Sequence, residues 1–544
     1  MKIVIVGGVA AGASAAARLR RLDEQAEIVL FERGEHVSFA NCGLPYHVGG
    51  VIPDRDTLLV MPPARFKTRM AVDLRVRHEV VSIDRAAHAI RYVNLTTGES
   101  GTESYDKLLL ATGSVPLRPP LPGIDDPDVL TLWTMGDMDA IKQRAEGETR
   151  RAVVVGGGFI GLEAVENLRH RGVQVTLVEL LPQVLPTLDP EMAVLLQREL
   201  LANGVSLCLG AAVEGFERSA KGELTVRLRG GQALATDLVV LSVGVRPNSA
   251  LAQAAGLAVG DRGGIVTDGQ MRTDDPDIYA VGDAVQVTDP VLNVPTQIPL
   301  AGPANKQGRL AADAIMGAKT TPYRGTWGTS IVKVFDLTAA SVGLSERALK
   351  RAGVACEKIY LHPFSHATYY PDAQMMHLKV LFSREGRLLG VQAVGQEGVD
   401  KRVDVLATAM QAGLGVTELS RLELAYAPPY GSAKDPVNFV GFVAENLLSG
   451  RTQPAYADAI PAGAVLLDVR EPDECARGTV PGALTIPLGQ LRQRLDEVPR
   501  DRLVVAYCAV GLRGYLAERI LRQNGFEARN LAGGITTWRL FHPA

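Results

Sequence analysis

The chain has 544 residues, 47% of them hydrophobic and 22% charged, with a formal net charge of −3 at pH 7. At roughly 150 residues per domain this length suggests three or four domains of ordinary globular composition. The near balance of charge gives no reason to expect nucleic acid or an anionic membrane as partner, so anionic ligands must be met by local basic clusters.

The chain opens with Met1-Lys2 and an apolar stretch that superficially resembles a secretory signal. Gly7, Gly8 and Gly12 interrupt it, and Arg18, Arg20 and Arg21 follow where a cleavage site should lie, so a strand and a helix are expected instead. Lys2-Ile-Val-Ile-Val-Gly7-Gly8-Val9-Ala-Ala11-Gly12 is a β-branched run, a glycine turn and the start of an Ala- and Arg-rich helix. A second strand over 28–32 ends in Glu32-Arg33. That is a βαβ dinucleotide-binding pattern, with Val9 where the middle glycine normally stands.

Ser38-Phe-Ala-Asn41-Cys42-Gly-Leu-Pro-Tyr46 follows, with one cysteine in a loop. A free cysteine is most often a small buried residue, but the Asn41 and Gly43 flanks favour a reactive thiol. A helix starting near Cys42, with an adjacent flavin, is expected to lower its pKa and populate the thiolate. Residues 105–114 read as a strand ending in Ala111-Thr112-Gly113-Ser114, and Pro116, Pro119, Pro120 and Pro122 mark a linker.

The βαβ pattern then repeats. Arg151-Ala-Val-Val-Val-Gly156-Gly-Gly158-Phe159-Ile160-Gly161 precedes a helix over 162–171 and a strand over 175–179 ending in Glu179. Gly156 permits the tight turn, Gly158 the approach of a pyrophosphate, and Gly161 close helix–strand packing. The diphosphate is expected at the helix N-terminus. Glu179 suits a ribose diol and opposes a 2′-phosphate, so NADH is the expected donor, with NADPH the alternative. Leu241-Ser-Val-Gly244-Val-Arg-Pro-Asn248 reads as a second crossover, and Asp274-Asp-Pro-Asp-Ile-Tyr-Ala-Val-Gly282-Asp283 delivers an acid suited to the ribityl chain of FAD.

The nucleotide domain is therefore read as inserted into the first. The expected domains are 1–118 and 244–325 for FAD, 119–243 for NAD, 326–451 for dimerisation, and 452–544 for a small C-terminal unit. In the last, Val465-Leu-Leu-Asp-Val-Arg470 and Val480-Pro-Gly-Ala precede a strand that empties into Cys508-Ala-Val-Gly511-Leu-Arg513. Loop amides around the sulfur and the Arg513 charge would suit a persulfide.

Over roughly residues 1–450 the order of motifs resembles the flavoprotein disulfide reductases with two dinucleotide domains. The single-cysteine stretch is similar to that of the coenzyme A disulfide reductases and their persulfide-reducing relatives. The C-terminal unit resembles rhodaneses, whose usual histidine before Pro-Gly-Ala is Thr479 here. The resemblance implies that Gly7, Gly8, Ala11, Gly12, Glu32, Arg33, Asn41, Val80, Thr112, Gly113, Gly282, Asp283 and Ala301 bind FAD. It places Gly156, Gly158, Phe159, Ile160, Gly161, Glu179 and Gly244 at the nicotinamide nucleotide.

The likeness further implies that Cys42 alternates between a thiolate and a mixed disulfide. Coenzyme A, as substrate or bound thiol, would meet Ser14, Arg18, Arg21, Ser38, Asn41, Asn305 and Lys434. Without it, Arg18 and Arg21 at i, i+3 spacing read as a solvated helix face. Met70 replaces a lysine of the family, with Lys67 or Arg69 available to substitute. Tyr369 and Tyr426, in segments that match the family's dimerisation domain, would reach the partner subunit's active site, so a homodimer is implied; otherwise they read as packing residues.

The expected fold is α/β, with two Rossmann-like dinucleotide-binding domains, an α+β dimerisation domain and a C-terminal α/β rhodanese-like domain. The expected function is NADH-dependent reduction of a coenzyme A disulfide, persulfide or polysulfide, with Cys508 carrying sulfane sulfur. An NADH peroxidase or oxidase working through a Cys42 sulfenic acid is the main alternative, and a redox sensor is a third. The five cysteines contain no Cys-x-x-Cys pair, which points to a reducing cytoplasm. Cys208, Cys356 and Cys475 read as structural. The nine histidines show no metal-ligand spacing, and neither membrane nor nucleic acid is expected as partner.

Overall fold

The computed structural model describes residues 1–542; the final two residues of the expected 452–544 domain lie outside the described residues. The chain forms two compact units, one of Met1–Pro182 with Gly204–Gly328, the other of Gln183–Asn203 with the chain from Thr329 onward.

The first unit is built on two five-stranded sheets. One has the order Ile278–Ala280, Lys107–Leu110, Lys2–Val6, Glu27–Glu32, Asp73–Val76, all paired in parallel. Ile3, Val4 and Ile5 are fully buried, as a strand covered on both faces requires. The strand Ile278–Ala280 comes from far downstream, so the chain completes this sheet only after building the second.

That second sheet runs Ser206–Leu209, Gln174–Glu179, Arg151–Val155, Leu238–Leu241, Val129–Thr131, again all parallel. The two crossovers read from the sequence pair with each other, Ser114–Pro116 antiparallel to Val245–Pro247. Helix Ala10–Leu22 packs on helix Ala301–Ile315. Gly308 permits this contact, because a β-carbon there would collide with the Ala11 carbonyl.

In the second unit, an antiparallel sheet runs Ser330–Val334, Leu337–Gly343, Leu388–Gly395, Met376–Phe382, Glu357–Leu361. Lys379 on this sheet is 1% exposed and reaches three carboxylates. They are Asp189 at 2.8 Å, Glu191 at 2.5 Å and Glu346 at 2.7 Å. Asp189 and Glu191 lie at the start of helix Pro190–Ala202, so one ammonium group joins that segment to the sheet.

A parallel sheet completes the unit, in the order Pro454–Ala455, Ala528–Leu531, Val504–Tyr507, Val465–Asp468, Leu484–Thr485. The two sheets of the unit are linked by His362 and Thr537, 2.7 Å apart, and by an ion pair of Lys358 with Asp458 at 3.3 Å. Among the described residues, no helix is long and apolar enough to cross a membrane.

Candidate active site

The two glycine turns share one construction. Gly7 and Gly156 have φ of 101° and 107°, a left-handed conformation open to glycine. A β-carbon on Gly12 or Gly161 would run into the carbonyl of Gly7 or Gly156. Each second strand returns a carboxylate to its own turn. Glu32 accepts from the amides of Gly8 and Gly34 at 2.8 and 2.7 Å. Glu179 accepts from those of Gly157 and Leu181 at 2.6 and 2.8 Å.

These acids therefore fasten their loops, and their remaining lone pairs are left to accept from a ribose. A β-carbon at Gly158 meets nothing within 4 Å, so its backbone is open to a diphosphate. Phe159 and Ile160 begin the helix behind it, Phe159–His170. Val9, at the corresponding position of the first turn, is the N-cap of helix Ala10–Leu22.

Of the other expected FAD residues, Thr112 lies against Gly7 of the first turn, and Gly282 lies against Ala11. Thr112 donates its hydroxyl to the Asn248 carbonyl at 2.6 Å, and the Asn248 amide donates to Gly113 O at 2.9 Å. The backbone at Gly113 is also open, with nothing within 4 Å of a β-carbon. Asp283 accepts from Ser114 Oγ at 2.8 Å, and burial pushes its carboxyl above the usual range. Ala11 and Val80 are buried, and Arg33 pairs loosely with Glu79 at 3.6 Å. Gly282 takes a φ of 77°, and Gly244, expected at the nicotinamide nucleotide, one of 108°. Ala301 starts a helix with no side-chain cap. Open backbone at a glycine turn, a half-buried acid and an uncapped helix end suit the FAD that the family binds.

Cys42 lies in the single helical turn Asn41–Gly43, ahead of helix Leu44–Gly49. Ser38 adopts a left-handed φ of 49° and donates its amide to Gly8 O at 2.9 Å, which ties the cysteine loop to the first glycine turn. A non-glycine residue held this way marks a constrained functional loop. Gly43 lets the Leu58 side chain pack against this turn, since a β-carbon there would displace its methyl end.

The polypeptide by itself does not supply the expected lowering of the Cys42 pKa. The residue is exposed, yet the protein crowding its sulfur, followed by the charges of Glu163 and Asp283, pushes the thiol up. A six-residue helix offers little dipole against burial and those two charges.

Ser14 and Asn305 are hydrogen-bonded to each other. Arg18 donates to Asp313 at 2.7 Å, so an acid invisible to motif reading already compensates one of the two expected coenzyme cations. Arg21 is exposed and stands on the same helix.

In the second unit, Tyr369 and Tyr426 are 74% and 46% exposed, and their hydroxyls are 2.6 Å apart. Fifty-seven residues separate them in sequence. The loops that carry them are tied by the Ala367 amide to Gly431 O at 2.9 Å. Beneath them, buried Arg402 donates to Ser365 O at 2.9 Å and to Asp435 at 3.0 Å. Lys434, beside Asp435, is exposed.

Cys508 is buried at the C-terminal end of strand Val504–Tyr507, and the Gly511 amide donates to its sulfur at 3.2 Å. Arg513 binds Glu474 through both nitrogens of its fork, each at 2.6 Å. That partner escaped sequence reading, since Glu474 lies 39 residues from Arg513 along the chain. Thr479 is exposed and next to Val480, whose amide is held by the Tyr507 hydroxyl at 3.1 Å.

The comparisons with known proteins agree with this arrangement. Residues 1–308 match the pyridine nucleotide-disulphide oxidoreductase family, 329–435 its dimerisation domain, and 452–540 the rhodanese-like domain. The coenzyme A disulfide reductase of Staphylococcus haemolyticus is 37% identical over 448 residues, 82% of this chain and 100% of that protein.

Two solved structures cover nearly the whole chain. The reduced Bacillus anthracis CoADR-RHD has a TM-score of 0.97 at 47% identity, spanning 100% of this chain and 98% of that one. A NAD-dependent persulfide reductase from A. fulgidus has a TM-score of 0.94 at 39% identity, spanning 99% and 100%. The chain belongs to the pyridine nucleotide-disulphide oxidoreductase family, which uses FAD and NAD(P)H, in the coenzyme A disulfide reductase branch and with a C-terminal rhodanese-like domain.

Proposed function

We propose that this enzyme uses NADH to reduce a coenzyme A disulfide, a coenzyme A persulfide or a polysulfide at Cys42, and that Cys508 carries sulfane sulfur in the same chain. The observation that carries this reading is the pair of sulfur sites. Cys42 stands exposed with no second cysteine in its loop, while Cys508 lies in a loop with an amide directed at its sulfur. A lone cysteine of the first kind can form a disulfide only with its substrate. A rhodanese-like site has no use in peroxide chemistry, which sets aside the sulfenic acid alternative.

When bound, FAD supplies the passage of an electron pair from the nicotinamide to sulfur. The protein does the rest. The Cys42 sulfur attacks one sulfur of the substrate's S–S bond, a new S–S bond forms as that bond breaks, and the other sulfur departs as a thiolate. Reductive cleavage of the mixed disulfide then returns Cys42 and releases the second thiol. Ser14, Arg18, Arg21, Ser38, Asn41, Asn305 and Lys434 are assigned to the coenzyme path. Tyr369 and Tyr426 are assigned to the departing thiolate of the partner subunit in a homodimer. The domain limits 1–118, 119–243, 244–325, 326–451 and 452–544 belong to the same reading. Five free cysteines fit a reducing cytoplasm.

NADH oxidation in the presence of coenzyme A disulfide, coenzyme A persulfide, polysulfide and hydrogen peroxide tests the proposal. Turnover with a sulfur acceptor, abolished by Cys42→Ser, is expected. Peroxide turnover exceeding every sulfur acceptor would refute it.

A further inference from the structure

The loop that holds Cys508 is fastened by the start of helix Gly534–Phe541. The Ile535 amide donates to Cys508 O at 2.9 Å, and the Thr536 amide donates to Ala509 O at 3.0 Å. A β-carbon at Gly534 would collide with both carbonyls, so glycine is what admits this approach. In a trans peptide the N–H points opposite to its C=O. Pinning the two carbonyls therefore also sets the direction of the Ala509 and Val510 amides. They lie just ahead of the Gly511 amide, which donates to the sulfur.

The same helical turn is held by residues of the dimerisation domain. Thr537 is fully buried, and its hydroxyl lies 2.7 Å from His362 Nε2. A β-carbon at Gly533, the N-cap, would strike both of those atoms. His362 follows strand Glu357–Leu361, and its Nδ1 is 2.9 Å from Nδ1 of His377 on the neighbouring strand Met376–Phe382. Burial holds His362 down to about 3 and His377 down to about 4, so both rings are neutral at working pH. A neutral imidazole has one N–H and one lone pair. The proton arrangement between the two rings thus decides whether His362 Nε2 donates to Thr537 or accepts from it. Further along the helix, Arg198 donates to Arg539 O at 3.1 Å.

We propose that Thr537, His362 and His377 are positioning residues for sulfur transfer at Cys508. Their chain of hydrogen bonds runs from the dimerisation sheet through one helical turn and keeps the Cys508 loop in the shape that presents its amide to the sulfur. None of the three touches the reacting atoms. The proposal rests on the reading of Cys508 as the carrier of sulfane sulfur.

In that transfer the Cys508 thiolate attacks the outer sulfur of a donor persulfide. The donor's S–S bond breaks and a new one forms at Cys508, with the proton retained on the transferred sulfur. The donor leaves as a thiolate, and there is no net oxidation. Negative charge moves off the Cys508 sulfur as the bonds exchange, and a loop amide that has drifted from its place serves that charge less well.

The test uses the full-length enzyme without NADH. Glutathione persulfide is added, and sulfur on the Cys508 peptide is followed by mass. Thr537→Val keeps the side-chain shape and removes the hydroxyl. It should lower the maximal loading rate about tenfold, while the half-saturating donor concentration stays within about twofold. Thr537→Ser should restore the rate. Hydrogen exchange at the Ile535 and Thr536 amides should quicken in Thr537→Val and return to the wild-type rate in Thr537→Ser.

His377→Leu breaks the chain at its half-buried end and should slow loading about threefold, whether or not Thr537→Val folds. NADH oxidation with coenzyme A disulfide, a reaction at Cys42, checks that each variant is intact. Loading as fast as wild type in the folded variants, even with a lowered melting temperature, overturns the positioning role alone. Absence of sulfur on Cys508 in the wild type overturns the reading of Cys508 as carrier, and the positioning role with it.

Discussion

Arg513 and Glu474 meet fork to fork, through two N–H···O bonds of 2.6 Å. This geometry fixes the plane of the guanidinium close to the loop that holds Cys508.

The Arg513 contact holds the Glu474 carboxyl down to about 2. A depressed folded-state value means that the pair contributes above the ordinary glutamate range and is lost only as pH falls through about 2. Arg513 is therefore oriented at every working pH. Glu474→Gln should slow persulfide formation on Cys508 about tenfold, as expected for loss of ~1.4 kcal/mol from a charge-assisted contact, while leaving Cys42-dependent reduction of a small persulfide unchanged. Cyanolysable sulfur on the protein measures the first rate and NADH oxidation the second.

Replacing Lys379 with methionine should destabilise the second unit by about 3–5 kcal/mol, because three carboxylates would lose their shared buried cation. Denaturant unfolding with Cys42 activity as a control gives the value. The Lys379 charge holds Asp189 and Glu346 below their ordinary range despite burial. Their stabilising contribution is thus complete above about pH 5 and declines as pH falls through their lowered values. Acid unfolding of the wild type should show that decline, and Lys379→Met should already be weakened at pH 7.

Changing Glu179 to glutamine removes the negative charge assigned to the nucleotide ribose and keeps an oxygen for one of the two amides, Gly157 or Leu181, that its carboxylate now accepts from. The ratio of kcat/KM for NADPH to that for NADH should rise about tenfold, the equivalent of ~1.4 kcal/mol of relieved repulsion. Unaltered discrimination would show that Glu179 only fastens its loop.

Tyr369 and Tyr426 share one hydrogen bond, which raises the Tyr369 hydroxyl above its ordinary pKa. Groups that act as a pair lose their effect together. Tyr369→Phe and Tyr426→Phe should each reduce kcat with a coenzyme A disulfide about tenfold, and the double variant should be little worse than either. Fully multiplicative losses would count against a joint role.

Local signals carried much of the site because they concern backbone conformation within a few residues. The glycines at 7, 12, 156 and 161 are legible since no other residue fits those turns. The acids at 32 and 179 are legible since a second strand must end where the first turn begins. The crossovers at 114–116 and 245–247 are legible from their glycine and proline signals, whereas their antiparallel pairing is a tertiary contact. The upward push on the Cys42 thiol was not legible, because it comes first from burial, which no local pattern encodes, and then from Glu163 on a helix more than a hundred residues away.

From order and spacing of residues alone came two nucleotide folds and an unpaired cysteine, because each depends on short-range sterics and side-chain chemistry, and the resemblance of its motifs identified the rhodanese-like tail. Tertiary packing alone decided which charges meet. Asp313 on Arg18, Glu474 on Arg513, Lys379 among three acids and Glu163 beside the Cys42 turn are all contacts across elements. Electrostatic energy depends on distance and dielectric surroundings, and a folded chain sets both only when its distant segments come together.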